Sequence, residues 1–124
     1  MIYTSYFAKL KSLPKDVIAI SICGKAPSWY KGLEYKKLAP TYNIFKKFKE
    51  DGDVEAFTKG YRNQVLNKLN AGEVVFELGS LANTEGNYTD RDICLLCHEK
   101  SDSFCHRHLV AEWLNNVGFE CREW

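Results

Sequence analysis

DICLLCHEKSDSFCHRHLVAEWL (residues 92–114) decides how this chain is read. Its first six residues form a nearly continuous apolar run, the pattern of a β-strand covered on both faces. Its last residues set His106, Val110 and Leu114 at helical spacing, so a helix beginning near Ser103 follows, capped by Asp102 or Ser103, with Val110, Trp113, Leu114 and Val117 as its inner stripe and Gly118 as its stop. A covered strand that hands over to a helix is the repeating unit of a parallel α/β sheet.

The rest of the chain repeats this alternation. VIAISIC (residues 17–23) is a β-branched run stopped by Gly24, and EVVFELG (residues 73–79) reads as a third buried strand. MIYTSYF (residues 1–7) supplies a first strand and FEC (residues 119–121) a short last one. Pro40 and Thr41 open a helix carrying Ile44, Phe45 and Phe48 on one side. Asp53 caps a second helix, in which Val54, Phe57, Tyr61, Val65 and Leu69 recur at helical spacing and Gly72 is the stop. The expected fold is a single α/β domain spanning residues 1–124. It has three layers around an open, mostly parallel sheet, Rossmann-like or flavodoxin-like, with strand order left open.

Composition sets the surroundings. At 124 residues the chain can bury a core without a stapling metal or disulfide. A formal net charge of +1 gives no global pull toward nucleic acid or membrane, so partners must be read locally. Five cysteines at irregular positions do not form a disulfide framework, and the N-terminus lacks the apolar run of a signal peptide. The expectation is a cytoplasmic protein with no membrane contact and no cofactor.

All three histidines and two of the cysteines fall between Cys97 and His108. A closed zinc site needs four converging ligands, commonly from C-x2-C pairs. Here seven residues separate Cys97 from Cys105, and His106 and His108 point about 200° apart on a helix, so no closed metal site is expected, while a three-ligand site from Cys97, Cys105 and one histidine stays open. Cys105 at a helix start has the setting of a reactive thiolate, yet a free cysteine is more often a small apolar filler. Position gives a third reading. Ligands of open parallel sheets bind beyond the carboxyl ends of strands, and His106 on the inner stripe with Arg107 at the rim makes an anion pocket.

The segment GKAPSWYKGLEYKKLAP (residues 24–40) mixes lysines with Trp29, Tyr30 and Tyr35, the chemistry of a contact with a nucleotide or nucleic acid, although an ordinary surface loop has the same composition.

These residues carry a resemblance. The motif formed by Cys97, Glu99, Cys105, His106 and Arg107 resembles that of the cytosolic bacterial and phage family catalogued as domain of unknown function 488, and the segments KAPSWYKGLEYKKLAPTYNIFKKFK and YRNQVL look like the family's upstream part. The resemblance implies an α/β three-layer fold and a site built on Cys105, His106 and Arg107 with Glu99. It does not require His98 or His108, and it supplies no substrate. The expected site therefore has Cys105, His106 and Glu99 as catalytic groups and Arg107, Cys97, Lys25, Trp29 and Tyr30 as binding groups, with a small anionic or nucleotide-like ligand as partner. The expected function is an enzyme acting on a phosphate-bearing or nucleotide-like ligand, or else a non-catalytic nucleotide or nucleic-acid binding module.

Overall fold

The structure, a computed structural model, describes residues 1–85, 92–98 and 104–124. Its centre is a five-stranded open sheet made of β1 (Ile2–Tyr6), β2 (Ile18–Ser21), β3 (Leu33–Glu34), β4 (Ile93–Cys97) and β5 (Cys121–Glu123). The order is β3-β2-β4-β1-β5 and every pairing is parallel. β4 is thus the central strand, paired with β1 through Ile2↔Ile93 to Tyr6↔Cys97 and with β2 through Ile18↔Ile93 to Ser21↔Leu96. All five of its residues are buried, which explains the uninterrupted apolar run.

Helices α1 (Tyr42–Asp51), α2 (Val54–Gln64), α3 (Ala71–Ala82) and α4 (His106–Asn116) complete the fold. Ile2, Ile18, Ile20, Ile93 and Leu95 pack into one core with Phe57 and Tyr61 of α2, Val74 and Leu78 of α3, and Leu109, Val110 and Leu114 of α4. Cys94 and Leu96 belong to a second cluster with Phe7, Tyr3, Leu10, Tyr30 and Trp124, so a 3-10 segment (Phe7–Ser12) and the chain after β2 cover the other face. Among the described residues no helix is long and apolar enough to cross a membrane.

Local chemistry sets the helix starts. The Thr41 side chain accepts from the Ile44 backbone N–H, and the Asp53 side chain from that of Ala56. Gly52, at φ 63°, takes the left-handed conformation that ends α1.

Several expectations need correction. Residues 73–79 are not a strand; they lie inside α3, where Val74, Leu78 and Ala82 bury one stripe and Phe76 stays 74% exposed. The Asn70 side chain caps α3 by accepting from the Glu73 N–H, so Gly72, expected as a stop, sits in the first turn. α2 ends at Gln64 and passes into a 3-10 turn (Leu66–Lys68) rather than running on to Leu69. α4 starts at His106, after the expected position, and Val117 is 57% exposed instead of lining the inner face. The expected caps Asp102 and Ser103 lie outside the described residues.

One buried hydrogen bond ties the segment after β2 to the core. Tyr61 Oη on α2 donates to the Leu38 carbonyl at 2.5 Å, and neither residue is exposed to solvent. Tyr61→Phe should leave that carbonyl buried without its donor and destabilise the fold by about 1–3 kcal/mol. Urea denaturation checks this, and an unchanged midpoint would show that the carbonyl finds another partner.

Candidate functional site

β4 delivers Cys97 to the carboxyl end of the central strand, level with Tyr6 of β1. The chain returns at Cys105, whose extended backbone (φ −152°, ψ 149°) forms the N-cap of α4 without a side-chain cap bond. The two sulfurs meet there as a disulfide, both cysteines buried.

Arg107 is not at the rim. It is 0% exposed, a position a guanidinium holds only with full compensation. Nε donates to Glu123 Oε1 and Oε2 at 3.1 and 3.2 Å, and Nη2 donates to Oε2 at 2.9 Å. Nη1 donates to Cys97 Sγ at 3.1 Å, and the guanidinium carbon lies 5.6 Å from the centre of the Tyr6 ring. Glu123 also accepts from Thr4 Oγ1 at 2.6 Å. Burial is the largest influence on the Glu123 carboxyl and opposes its ionisation, but the hydrogen bonds from Arg107 and Thr4 and the guanidinium charge together outweigh it and hold the group below its ordinary range.

His106 is buried on the same helix start. Its Nε2 lies 2.8 Å from the Ile22 carbonyl oxygen. A carbonyl can only accept, so Nε2 carries the proton and Nδ1 keeps its lone pair, facing Cys105 Sγ at 3.7 Å. The ring packs edge-on to Tyr61 at 5.5 Å. Burial, reinforced by the Arg107 charge and only partly offset by the Ile22 bond, lowers the imidazole pKa from 6.5 to about 4, so it is neutral near pH 7.

The binding residues expected in the long loop divide. Tyr30 is a structural anchor: its hydroxyl donates to the Leu33 carbonyl at 2.7 Å, and burial raises its pKa to about 12. Trp29 and Lys25 are exposed. The loop is fastened beside the cysteine pair by Phe7, whose ring meets Trp29, Tyr30 and His98, and by His98 Nε2, 2.7 Å from the Lys25 carbonyl. Glu99 lies outside the described residues. Among the described residues, a cleft of about 430 Å³ is lined by Lys15, Trp29, Tyr30 and Lys31, and another of about 220 Å³ opens between α1 and α2. Neither is lined by the cysteine pair. Of the remaining cysteines, burial pushes the Cys94 thiol to about 12 and Cys121 to about 11, and raises Cys23, so all three stay protonated fillers.

Sequence reasoning missed Glu123, Thr4 and the Ile22 carbonyl. A signal existed for one of them: Cys121 and Glu123 share a strand face by the two-residue repeat, which puts a carboxylate on the side that carries a buried cysteine.

A base whose pKa falls from 6.5 to about 4 on folding binds its proton more readily in the unfolded chain. The stability it contributes is complete above pH 6.5 and drains away as pH falls toward 4, at up to about 1.4 kcal/mol per unit. Denaturant titrations from pH 7 to 5 should show this decline in the wild type and a flatter profile in His106→Gln; equal profiles would assign the decline to other groups. Glu123→Ala should destabilise by about 2–3 kcal/mol, below the scale of a fully buried pair because the carboxylate keeps some solvent. Glu120→Ala, which breaks an exposed pair with Arg122, should change little in the same urea titration.

No match was found among curated proteins or among solved structures. A family model described as DUF488-N3a, the active DUF488-N3 subclade, matches residues 5–118, nearly the whole chain including β4, the cysteine pair and α4. The chain belongs to the DUF488 family.

Proposed function

We propose that the chain is a small enzyme acting on a phosphate-bearing or nucleotide-like ligand at the junction of β4 and α4. One observation carries this reading. Two cysteine sulfurs, an imidazole with its lone pair turned toward them, and a guanidinium held by a carboxylate converge where a parallel sheet commonly binds ligands. The description of the matching subclade as active supports it.

In this scheme Arg107 is a fixed positive wall behind the ligand, since Glu123 and Cys97 already engage its donors. The start of α4 and the exposed Lys25 ammonium then hold the phosphate. His106 Nδ1 or Glu99 takes up a proton, and Cys105, once reduced, serves as nucleophile or as wall.

A second reading, a non-catalytic nucleotide or nucleic-acid binding module, is favoured by the cleft in which Trp29 and Tyr30 stand beside Lys15 and Lys31. Thermal-shift screening of inorganic phosphate, nucleotides and nucleotide sugars separates the two. The enzyme reading expects an anion that stabilises the wild type, with the shift largely lost in Lys25→Ala while the ligand-free melting temperature barely moves. A shift lost in Trp29→Ala and Lys31→Ala but kept in Lys25→Ala would move binding to the cleft. No stabilising anion at all would sink both readings.

A further inference from the structure

The ligand atoms of Cys97, Cys105 and His106 lie within 4.8 Å of one another, and all three residues are buried. They come from three different backbone settings: the last residue of β4, the N-cap of α4 and its first residue. Zinc binds thiolate sulfur at about 2.3 Å and imidazole nitrogen at about 2.0–2.1 Å, so tetrahedral neighbours stand roughly 3.5–3.8 Å apart. The Cys105 Sγ to His106 Nδ1 distance of 3.7 Å already has that value. The two cysteine Cα atoms are 7.3 Å apart, wider than the roughly 4.4–6.8 Å usual for a disulfide, so the backbone leaves room for an ion between reduced sulfurs.

The surroundings fit the same role. A metal-bound histidine nearly always donates its other ring N–H to a carbonyl or carboxylate, which fixes the tautomer. His106 Nε2 does so to Ile22, leaving the Nδ1 lone pair facing Cys105 Sγ, with Cys97 Sγ within 4.8 Å. The Arg107 Nη1 bond to Cys97 Sγ is the kind of outer contact that holds a coordinating thiolate in place.

We propose that the reduced Cys97–Cys105 pair and His106 Nδ1 form a three-ligand site for a thiophilic divalent ion of the zinc class, with an exchangeable oxygen ligand in the fourth position. Three protein ligands and one exchangeable position is the pattern of catalytic rather than structural zinc. The disulfide is then the closed, metal-free form. A dithiol reductant breaks the S–S bond, is itself oxidised to a disulfide, and leaves two thiols; binding the ion releases their two protons to solvent. An ion here would also occupy the lone pairs that a nucleophilic Cys105 or a basic His106 needs. The inference does not rest on the anion-binding reading, because the ion is measured without any phosphate-bearing ligand.

The test is titration of phosphine-reduced protein with Co(II) under anaerobic conditions, followed by Zn(II) competition. One Co(II) per chain is expected, with thiolate-to-cobalt charge-transfer bands, the strong visible bands of four-coordinate cobalt, and displacement by zinc. The oxidised protein should show none of these. Cys97→Ser, Cys105→Ser and His106→Gln should each weaken binding at least about tenfold, and Cys94→Ser should leave it unchanged. Glutamine retains a donor for the Ile22 carbonyl but lacks Nδ1. If that variant fails to fold, ¹⁵N spectra of wild-type protein decide: zinc should shift the His106 Nδ1 resonance and leave those of His98 and His108 in place. Absence of charge-transfer bands in folded reduced protein, Co(II) affinity unchanged in both Cys97→Ser and Cys105→Ser, a stoichiometry of one ion per two chains, or an unmoved His106 resonance overturns the proposal.

Discussion

The Arg107–Glu123 ion pair is the constraint on which the carboxyl edge of this sheet depends. A guanidinium with no solvent exposure must have its charge and its donors answered from within the protein, and the answers come from several elements at once. Glu123 belongs to β5, the Thr4 that fixes Glu123 and the Tyr6 ring beside the guanidinium belong to β1, and the Cys97 sulfur belongs to β4. Setting Arg107 in place therefore sets the relative position of three strands and the start of α4. The chain end joins the same construction: Trp124 N–H donates to the Thr4 carbonyl at 2.7 Å, Lys9 Nζ donates to the Trp124 carbonyl at 2.8 Å, and the indole packs edge-on to Tyr3. A three-residue strand would be weak alone; here it is held by a charge that cannot be left unpaired.

Much of the fold was legible because burial on both faces leaves a plain mark. β1, β2 and β4 follow from their apolar runs and α1 and α2 from capping residues followed by a periodic face, whereas the last strand, expected at residues 119–121, runs Cys121–Glu123 and shares only Cys121 with that expectation. The same rule misled at residues 73–79. Two valines, a phenylalanine and a leucine in close succession resemble a covered strand, yet only Val74 and Leu78 of that run are buried, four residues apart, and Phe76 faces solvent. A short apolar run cannot separate strand from helix by periodicity alone; the Asn70 to Glu73 cap would have done so. Strand order was not legible, since insertion of β4 between β1 and β2 depends on pairings between residues far apart in the chain.

The site was half legible for the same reason. His106 was placed inward by its spacing from Val110 and Leu114, and it is buried as that spacing requires. Arg107, one step round the helix from His106, reads as a rim residue or as a partner of Glu99 or Asp102, but it is buried against Glu123. That partner lies sixteen residues further on, and the carbonyl that fixes the His106 tautomer lies eighty-four residues back. Local sequence reports which face a residue takes; it does not report which distant group pays its desolvation.

The charges that remain set the electrostatics of the cysteine pair and of the ion proposed there. Arg107 and Glu123 cancel, and His106 is neutral, so the buried spot is close to balanced before the sulfurs are counted. A disulfide adds no charge. Two thiolates would add two negative charges in surroundings that solvate ions poorly, against a guanidinium already committed to Glu123. A divalent ion restores the balance, and the Nδ1 lone pair supplies a third ligand without adding charge. The disulfide, the protonated dithiol and the proposed metal-bound dithiolate are thus all forms in which this site carries no net charge, and the metal-free dithiolate is disfavoured by the same desolvation that holds Arg107 against Glu123.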